Sequence, residues 1–321
     1  NDRYYQHGEG AGGGRINYST LASFIRKGSA AGATDDGNKF PLLEAKDAED
    51  AYARASRTYG MRADEAAEKM IDVAYRGASE TRRAAAIITA AYYGRPQRFS
   101  YFEGCSGGGA QALRMAQRFA DEWHGILVGA PANHMTRYFA ANAWNSRLWL
   151  HPSSRIPARK LPAIQRAAVN SCGRAAQVHD AVPGDPRFCR FDPTDLLCSD
   201  VDTDDCLTAP QVGALRNIYE GPRNPRTGEP IYPGFPPTME LGWVGFLSQA
   251  QSGRGLFRDV PFSVLSANIH YRFIFDDPSW DARRFDFDAD LAFAENKVVG
   301  GQNMRMIWNA VNADFSRLYD R

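Results

Sequence analysis

The run RFSYFEGCSGGGAQALRMAQRFA, residues 98–120, constrains the fold of this chain more than any other stretch. A strand-like segment meets a cluster of glycines around Ser106, and a helix-like segment follows. Strands that alternate with helices in this way are typical of an α/β fold. The sequence therefore predicts a sharp strand–turn–helix junction at Ser106.

The residues of this junction, from Gly104 to Gly108, fit the pattern G-x-S-x-G. In a nucleophile elbow the sharp turn lifts the serine hydroxyl above the edge of the sheet, and the flanking glycines relieve crowding. Ser106 is therefore a candidate nucleophile, and the backbone N–H of Gly107 is a candidate donor to an oxyanion. A glycine-rich turn without chemistry is the alternative.

A second glycine cluster, HGEGAGGG at residues 7–14, follows an early predicted strand. Glycine-rich loops at this place supply the other oxyanion N–H in lipases and esterases, and Gly10 is the candidate for it. The same loop also fits the dinucleotide fingerprint G-x-G-x-x-G, with Asp35 at the spacing of a ribose-binding acid. Against a dinucleotide-binding oxidoreductase stands the polar character of the preceding strand, because the central strand of such a sheet is buried on both faces.

Residues 1–133 alternate predicted strands and helices, which indicates a mainly parallel sheet. Strands are predicted at RYYQH, SAAGATD, RFSYFEG and GILVGAP, and the last is expected to be buried. Helices are predicted over 19–28, over 64–93 and after the junction. Ser19 is the expected N-cap of the first helix, and Gly28 and Gly94 are the expected stops.

Residues 134–321 show weaker strand signals and more Trp, Phe, Pro and Asp, which favours a mostly helical region. Helices are predicted over 158–171, 207–219, 238–250, 260–275 and 300–315. Thr208 and Gln211 form a capping box at the start of the second of these helices. We therefore expect an α/β domain at residues 1–133 and a helical domain at residues 134–321.

Four of the five cysteines fall in one loop-like stretch rich in Asp and Pro: Cys172, Cys189, Cys198 and Cys206. No C-x-x-C pair and no histidine at zinc-ligand spacing accompanies them, so two disulfides in an oxidising compartment are the better interpretation. Several pairings remain open, although pairing in order closes the shortest loops. Cys105 is left without a partner.

The charge balance excludes some classes of partner. The formal net charge is +1, and no run of 18 apolar residues occurs. Neither nucleic acid nor a membrane is therefore an expected partner. No signal peptide is visible at Asn1, where the chain begins in what we interpret as the edge of a folded element.

Several longer stretches are similar to one known family. YFEGCSGGGAQALRMAQRFADEWHGILVGAPA resembles the elbow region of the tannase and feruloyl esterase family, which includes mono(2-hydroxyethyl) terephthalate hydrolase. Further matches, in family order, are INYSTLA, ATDDGN, CRFDPTDLLC, DDCLTAPQVGALRNIYEGPRNPRTGEPIYPG and DDPSWDARRFDFDADL. The resemblance runs over nearly the whole chain.

This resemblance implies an α/β-hydrolase core with a large, mostly helical lid inserted after GAPAN. It implies ester hydrolysis by a Ser-His-Asp triad with Ser106 as the nucleophile, and a disulfide from Cys105 to a cysteine beside the catalytic histidine. The lid disulfides that it implies are Cys172–Cys189 and Cys198–Cys206.

The chain departs from the family at the other triad members, which lie beyond the lid. None of its histidines matches the family's base position; they are His7, His124, His134, His151, His179 and His270. We therefore expect the core to be incomplete in this chain, and the histidine and aspartate to lie in a C-terminal segment or a separate polypeptide. A non-catalytic remnant or binding protein on the same fold is the alternative.

The chain also departs from the family at a lid loop that often holds calcium. Gly173 and Ala176 stand where carboxylates are expected, which leaves Asp180 and the carbonyls of Val178 and Val182. Calcium prefers six to eight oxygen ligands with several charges. We expect no required cofactor, and a structural calcium only as an option.

Together these features predict a secreted or periplasmic serine esterase that forms an acyl-enzyme on Ser106. The expected substrate is a small aromatic carboxylic ester of galloyl, feruloyl or terephthaloyl type. The helical half is rich in aromatic side chains. Most of them are expected in its core, and a few are expected to line an acyl pocket.

Overall fold

The computed structural model divides the chain into two compact units. The residues that it describes are 2–10, 13–37, 63–176, 185, 188–248 and 260–319. Unit 1 takes residues 1–45, 53–136 and 294–321, and unit 2 takes residues 46–52 and 137–293. The end of the chain thus packs with the α/β half. That the helical half acts as a lid stays a prediction.

A four-stranded parallel sheet lies at the centre of unit 1, in the order β2–β1–β3–β4. The strands are β1 (Arg3–Gly8), β2 (Ala30–Ala33), β3 (Phe99–Cys105) and β4 (Gly125–Gly129). The predicted α/β class is confirmed. Gly8 lies opposite Gly104, so the segments after β1 and β3 leave the sheet at the same edge.

Four helices connect or follow these strands. They are α1 (Tyr18–Arg26), α2 (Ala63–Ile71), α3 (Gly77–Tyr93) and α4 (Gly107–Arg118), with a π-helical turn, Asp72–Arg76, between α2 and α3. α3 stops at Gly94, whose φ of 70° is the left-handed conformation that glycine adopts readily. The long predicted helix over 64–93 is therefore present but interrupted.

The predicted N-cap of α1 is wrong. The side chain of Asn17, not that of Ser19, accepts the N–H of Thr20. Asn17 is as good a cap as serine and directly precedes the first helical residue. Ser19 instead donates its hydroxyl to the Asn17 side chain at 2.7 Å.

The two faces of the sheet are covered differently. One face is buried by a cluster of Tyr4, Ala78, Phe102, Ala112, Met115 and Trp123. On the other face, Tyr5 stacks on Phe24 and Tyr101. The expectation that β4 is buried is wrong, because Leu127 is 67% exposed. Among the described strands β4 pairs with β3 alone, so it lies at an edge of the sheet.

Unit 2 is mostly helical. The helices that lie wholly or mostly in it are α5 (Met135–Leu150), α6 (Leu161–Ala176), α7 (Ala209–Glu220), α8 (Phe262–Phe275) and α9 (Ala289–Asn296). The predicted capping box is confirmed, since Thr208 and Gln211 exchange both hydrogen bonds at the start of α7. No helix within the described ranges is both long and apolar enough to cross a membrane.

Two predicted helices are much shorter in the structure than expected where the structure describes them. In the region 238–248 only one 3₁₀ turn forms, Glu240–Trp243. After residue 297 a short hairpin, β5 (Val298–Val299) and β6 (Gln302–Asn303), precedes the short helix α10 (Met304–Trp308). Gly300 and Gly301 both adopt positive φ and form the hairpin turn. A last helix, α11, spans Ser316–Tyr319.

Disulfides join Cys172 to Cys189 and Cys198 to Cys206, which is the expected pairing. The second of them lies beside Lys160, whose ammonium is buried with 1% of the side chain exposed. Lys160 donates to the Cys206 carbonyl at 2.7 Å and to Gln211 Oε1 at 3.0 Å, and it forms an ion pair with Asp202. These contacts tie the disulfide loop to the start of α7.

Candidate active site

Ser106 occupies the turn between β3 and α4. Its φ of 59° and ψ of −116° form a strained conformation for a residue with a side chain. The Ser106 N–H donates to the Gly129 carbonyl at 3.0 Å, and the Ser106 carbonyl accepts from the Ala110 N–H at 3.0 Å. The side chain is exposed. The predicted sharp junction is therefore present, and neighbouring backbone holds it on both sides.

The glycines around Ser106 are required by close backbone packing. A Cβ on Gly104, Gly108 or Gly109 would lie 2.2 Å from the carbonyl oxygen of Gly108, Gly8 or Gly129, respectively. Real Cβ atoms essentially never approach backbone so closely. Because of these glycines, the start of α4 packs directly against the ends of β1 and β4.

The glycine loop that follows β1 reaches the same edge of the sheet. A Cβ on Gly10 would lie 3.6 Å from the Cys105 carbonyl oxygen, so Gly10 is a neighbour of the residue before the serine. The Gly13 N–H donates to the Gly10 carbonyl, and the Gly14 N–H donates to the Asp35 carbonyl, each at 3.1 Å. The structure thus brings the predicted nucleophile and the predicted oxyanion loop together. Their chemical roles stay predictions.

A buried carboxylate in this loop was missed by the sequence analysis. Glu9 is buried, and its Oε1 accepts from both the Nε and the Nη2 of Arg15 at 2.8 Å. His7 lies between two acids, with Nδ1 3.4 Å from Glu103 Oε1 and Nε2 3.9 Å from Glu9 Oε2. The ion pair of Glu9 with Arg15 joins the start of the loop to the segment before α1. The sequence feature that could have indicated this buried carboxylate is a glutamate within a run of glycines.

A second buried carboxylate lies beside the same loop. Asp36, after β2, is 1% exposed, and its Oδ2 accepts from the Gln111 Nε2 of α4 at 2.8 Å. Burial raises the pKa of Asp36 to about 7, and the Gln111 hydrogen bond lowers it only in part. Arg114, one turn further along α4, is also buried and donates to the carbonyls of Ala74 and Trp308. A buried polar layer therefore lies behind the predicted elbow.

The histidines for which contacts are resolved serve other partners. His7 faces Glu9 and Glu103, as described above. His124 Nδ1 accepts the Ser100 N–H at 3.2 Å. In unit 2, the ring of His270 stacks on Phe139 at a centroid distance of 3.7 Å. None of these contacts involves Ser106, and the location of the base stays a prediction. His179 lies outside the described residues.

The expected disulfide from Cys105 to a cysteine outside this chain and the expected calcium ligands both stay predictions. Cys105 is an exposed free thiol. The candidate calcium ligands Val178, Asp180 and Val182 lie outside the described residues. Within the described ranges, one group of side chains has metal-ligand spacing: Cys198, Asp202 and Cys206. Its two sulfurs form a disulfide, so they do not act as thiolate ligands.

Six of the aromatic side chains described in unit 2 are buried: Trp149, Trp243, Tyr271, Trp280, Phe285 and Phe287. Tyr271 contacts the rings of Phe275, Trp280 and Phe285 within one cluster. Arg272 donates its Nε to the Trp280 carbonyl at 3.1 Å. A structural role for these residues is therefore visible, whereas an aromatic acyl pocket stays a prediction.

Comparisons with known proteins place the chain among esterases. A family model described as Tannase and feruloyl esterase matches residues 1–321. An uncharacterized esterase of Xanthomonas campestris pv. campestris is 35% identical over 319 residues, which cover 98% of this chain and 53% of the relative. A mono(2-hydroxyethyl) terephthalate hydrolase of Piscinibacter sakaiensis is 26% identical over 262 residues, which cover 72% and 42%. The chain spans about half the length of the curated relatives it matches.

Solved structures show the same fold. Feruloyl esterase B from Aspergillus oryzae matches with a TM-score of 0.80 at 22% identity, over 100% of this chain and 58% of that one. A tannin acyl hydrolase from Aspergillus niger matches with a TM-score of 0.68 at 18% identity, again over 100% and 58%. The parallel sheet and its helices therefore have the α/β-hydrolase arrangement of these esterases.

Proposed function

We propose that this chain, which belongs to the tannase and feruloyl esterase family, carries the nucleophile and the oxyanion hole of a serine esterase. One observation carries the proposal. Ser106 is exposed at the tip of a strained strand-to-helix turn, next to the glycine loop that follows β1. Family membership supports ester hydrolysis as the reaction, and the activity of the whole protein is part of this proposal.

In the proposed reaction, the Ser106 Oγ attacks the ester carbonyl carbon while its proton passes to a histidine. The carbonyl oxygen becomes an oxyanion, which the N–H groups of Gly107 and Gly10 stabilise. Collapse of this intermediate breaks the bond to the alcohol, which takes the proton from the histidine and leaves an acyl group on Ser106. A water molecule then releases the acid by the same route. The histidine and its aspartate are proposed to lie outside this chain.

The proposed substrate is a small aromatic carboxylic ester. The names of the relatives support this choice, since they include feruloyl esterases and a terephthalate monoester hydrolase. A secreted or periplasmic location is supported by the two disulfides of unit 2, because disulfides persist in oxidising compartments. A calcium ion in the loop that contains Asp180 remains an optional part of the proposal.

Replacement of Ser106 by alanine tests the function. Ser106→Ala should lower ester turnover by at least about 10³-fold, because no other group replaces the attacking oxygen. The measurement is kcat for two reactions. One is the hydrolysis of methyl ferulate, and the other is the hydrolysis of one ester bond of an aromatic diester to give the monoester. Ser19→Ala, on the exposed surface of α1, is the matched control and should keep full turnover.

A fluorophosphonate probe gives the second readout, since it reacts with an activated serine. The unaltered full-length protein, which includes the proposed histidine, should be labelled at Ser106, and its Ser106→Ala variant should not. Equal turnover in the Ser106→Ala variant and the unaltered protein would contradict the proposal. An absence of labelling in the unaltered protein would favour a non-catalytic binding protein on the same fold.

A further inference from the structure

The helix that begins after Ser106 also carries the residue that reaches the oxyanion loop. Gln111 lies in α4 and is buried. Its Nε2 donates to Asp36 Oδ2 at 2.8 Å and to the Val73 carbonyl at 2.9 Å. Its Oε1 faces the end of β1, where a Cβ on Gly8 would lie only 2.9 Å away. Gln111 is therefore held by contacts on three sides.

Asp36 transmits this contact to the glycine loop. A Cβ on Gly13 would lie 2.4 Å from Asp36 Oδ2, so the carboxylate packs directly against the backbone of the loop. The neighbouring Asp35 carbonyl accepts the Gly14 N–H. Asp36 itself adopts a φ of 58°, and its N–H donates to Thr34 Oγ1 at 3.0 Å. The segment after β2 thus supports the loop with both a side chain and a backbone carbonyl.

The Asp36 carboxyl is buried and has few hydrogen-bond partners. Its Oδ1 has no hydrogen-bond partner among the described residues. A buried polar atom without a partner costs free energy, and such groups tend to occur where function requires them. Removing the carboxyl would relieve this cost, so stability alone does not account for its position.

We propose that Gln111 and Asp36 are positioning residues that set the distance between Ser106 and the oxyanion donor Gly10. The connection runs from Ser106 along the rigid start of α4 to Gln111, then to Asp36 and to the Gly13 turn. The Gly13 N–H of that turn donates to the Gly10 carbonyl, which joins the turn to Gly10. Oxyanion donors act only within a few tenths of an ångström of their best position, and small displacements reduce kcat strongly. This inference rests on the proposed function.

Three variants in the full-length protein test it. Gln111→Met keeps the volume and removes the donor, and Asp36→Ala removes the acceptor. Both should lower kcat for an aromatic ester by about 10- to 100-fold with KM changed less than about twofold, because the loop acts on the transition state. Asp36→Asn keeps an oxygen that accepts from Gln111 and should retain kcat within about threefold.

A matched control lies on the same helix. The Gln117 Nε2 donates to the Asn312 carbonyl, away from the glycine loop. Gln117→Met makes the same chemical change as Gln111→Met and should leave kcat unaltered. If Asp36→Ala does not fold, Asp36→Ser carries the same expectation for kcat.

The rate of fluorophosphonate labelling distinguishes a failure of the positioning role from a failure of the proposed esterase function. Labelling of the unaltered protein with slower labelling of Gln111→Met and Asp36→Ala supports the positioning role. Equal labelling rates for the unaltered protein, Gln111→Met and Asp36→Ala would overturn the positioning role, and so would a rise in KM without a fall in kcat. Either result would leave the proposed esterase function intact. No labelling of the unaltered protein would overturn the proposed function, and the inference with it.

Discussion

Two buried ionisable groups, one in each unit, differ in how fully their hydrogen bonds are satisfied. Lys160 in unit 2 has three acceptors for its three N–H bonds: the Asp202 carboxylate, the Cys206 carbonyl and Gln211 Oε1. Asp36 in unit 1 has one neutral side-chain donor, Gln111, and leaves one oxygen without a partner among the described residues. Both side chains are 1% exposed.

The difference distinguishes a buried group whose contacts stabilise the fold, Lys160, from a buried group whose burial costs folding free energy, Asp36. A buried charge with all its hydrogen bonds made is compatible with a stable core, whereas a half-satisfied one is destabilising. The Lys160 contacts join a disulfide loop to the start of a helix. Asp36 instead lies beside the loop that we propose binds the oxyanion. The comparison therefore agrees with a stabilising role for Lys160 and a positioning role for Asp36.

The largest effect is expected from Asp36→Asn and depends on pH. Burial raises the pKa of Asp36 from 3.8 to about 7, with Asp35 and Glu9 adding to the rise and Arg114 opposing it. Between about pH 4 and pH 7 the Asp36 carboxyl is therefore still protonated in the folded protein but ionised in the unfolded chain. The free energy of unfolding falls as the pH rises through this range, because ionisation favours the unfolded chain. Asparagine resembles the neutral form. The variant should gain roughly 4 kcal/mol at pH 8 and nothing below pH 4, measured by urea unfolding.

The control for this measurement is Asp204→Asn, which changes an exposed carboxyl paired with Arg159. It should alter the free energy of unfolding by less than about 1 kcal/mol at either pH. An Asp36→Asn variant that is less stable than the unaltered protein at pH 8 would mean that the carboxylate is well solvated or paired, and the contrast with Lys160 would disappear.

Lys160→Met should have the opposite sign and a somewhat smaller size. The methionine fills a similar volume but removes the Lys160 donor from the Cys206 carbonyl, and Gln211 Oε1 keeps only the Thr208 N–H. We expect a loss of about 3 kcal/mol in the free energy of unfolding, because half of the Asp202 side chain stays in water and limits the penalty. Urea unfolding of the oxidised protein measures it.

Arg159→Met is the neighbouring control, since Arg159 pairs with Asp204 on the exposed surface. Its effect should stay below about 1 kcal/mol. Equal effects of the two substitutions would show that burial of Lys160 is not what makes its contacts stabilising.

The smallest effect is expected from the helix start that Lys160 contacts. Thr208→Ala removes one half of the capping box of α7 and should cost about 1 kcal/mol. Thr208→Ser keeps the hydroxyl and should recover most of that loss in thermal unfolding. In a Lys160→Met background the cost of Thr208→Ala should differ from 1 kcal/mol, because Gln211 belongs to both networks.

Local features of the chain could be predicted because neighbouring residues determine them. The turn at Ser106 follows from glycines on both sides of the serine, and the α7 cap follows from Thr208 and Gln211. The same local reasoning placed the cap of α1 at Ser19, whereas the structure caps the helix with Asn17; both residue types make good caps, and only the backbone path decides between them.

Edges and long-range contacts could not be predicted in this way. The run GILVGAP has the apolar character of a buried strand, yet Leu127 is exposed because the position of a strand in the sheet depends on which partners flank it. The helix predicted over 300–315 is reduced to α10, and it does not begin at residue 300 because two glycines at positive φ turn the chain into a hairpin there.

The sequence by itself determined the strand-to-helix junction, the glycine loop after β1 and the family resemblance, and that resemblance implied the cysteine pairing that the structure has. Each depends on residues close together in the chain or on a pattern shared with relatives. Only the tertiary structure decided that Glu9 pairs with Arg15 at the glycine loop after β1 and that Gln111 reaches Asp36, 75 positions away along the chain. The physical reason is that burial and hydrogen bonding of a side chain depend on what the sheet and its helices place around it. Composition and spacing do not contain that information.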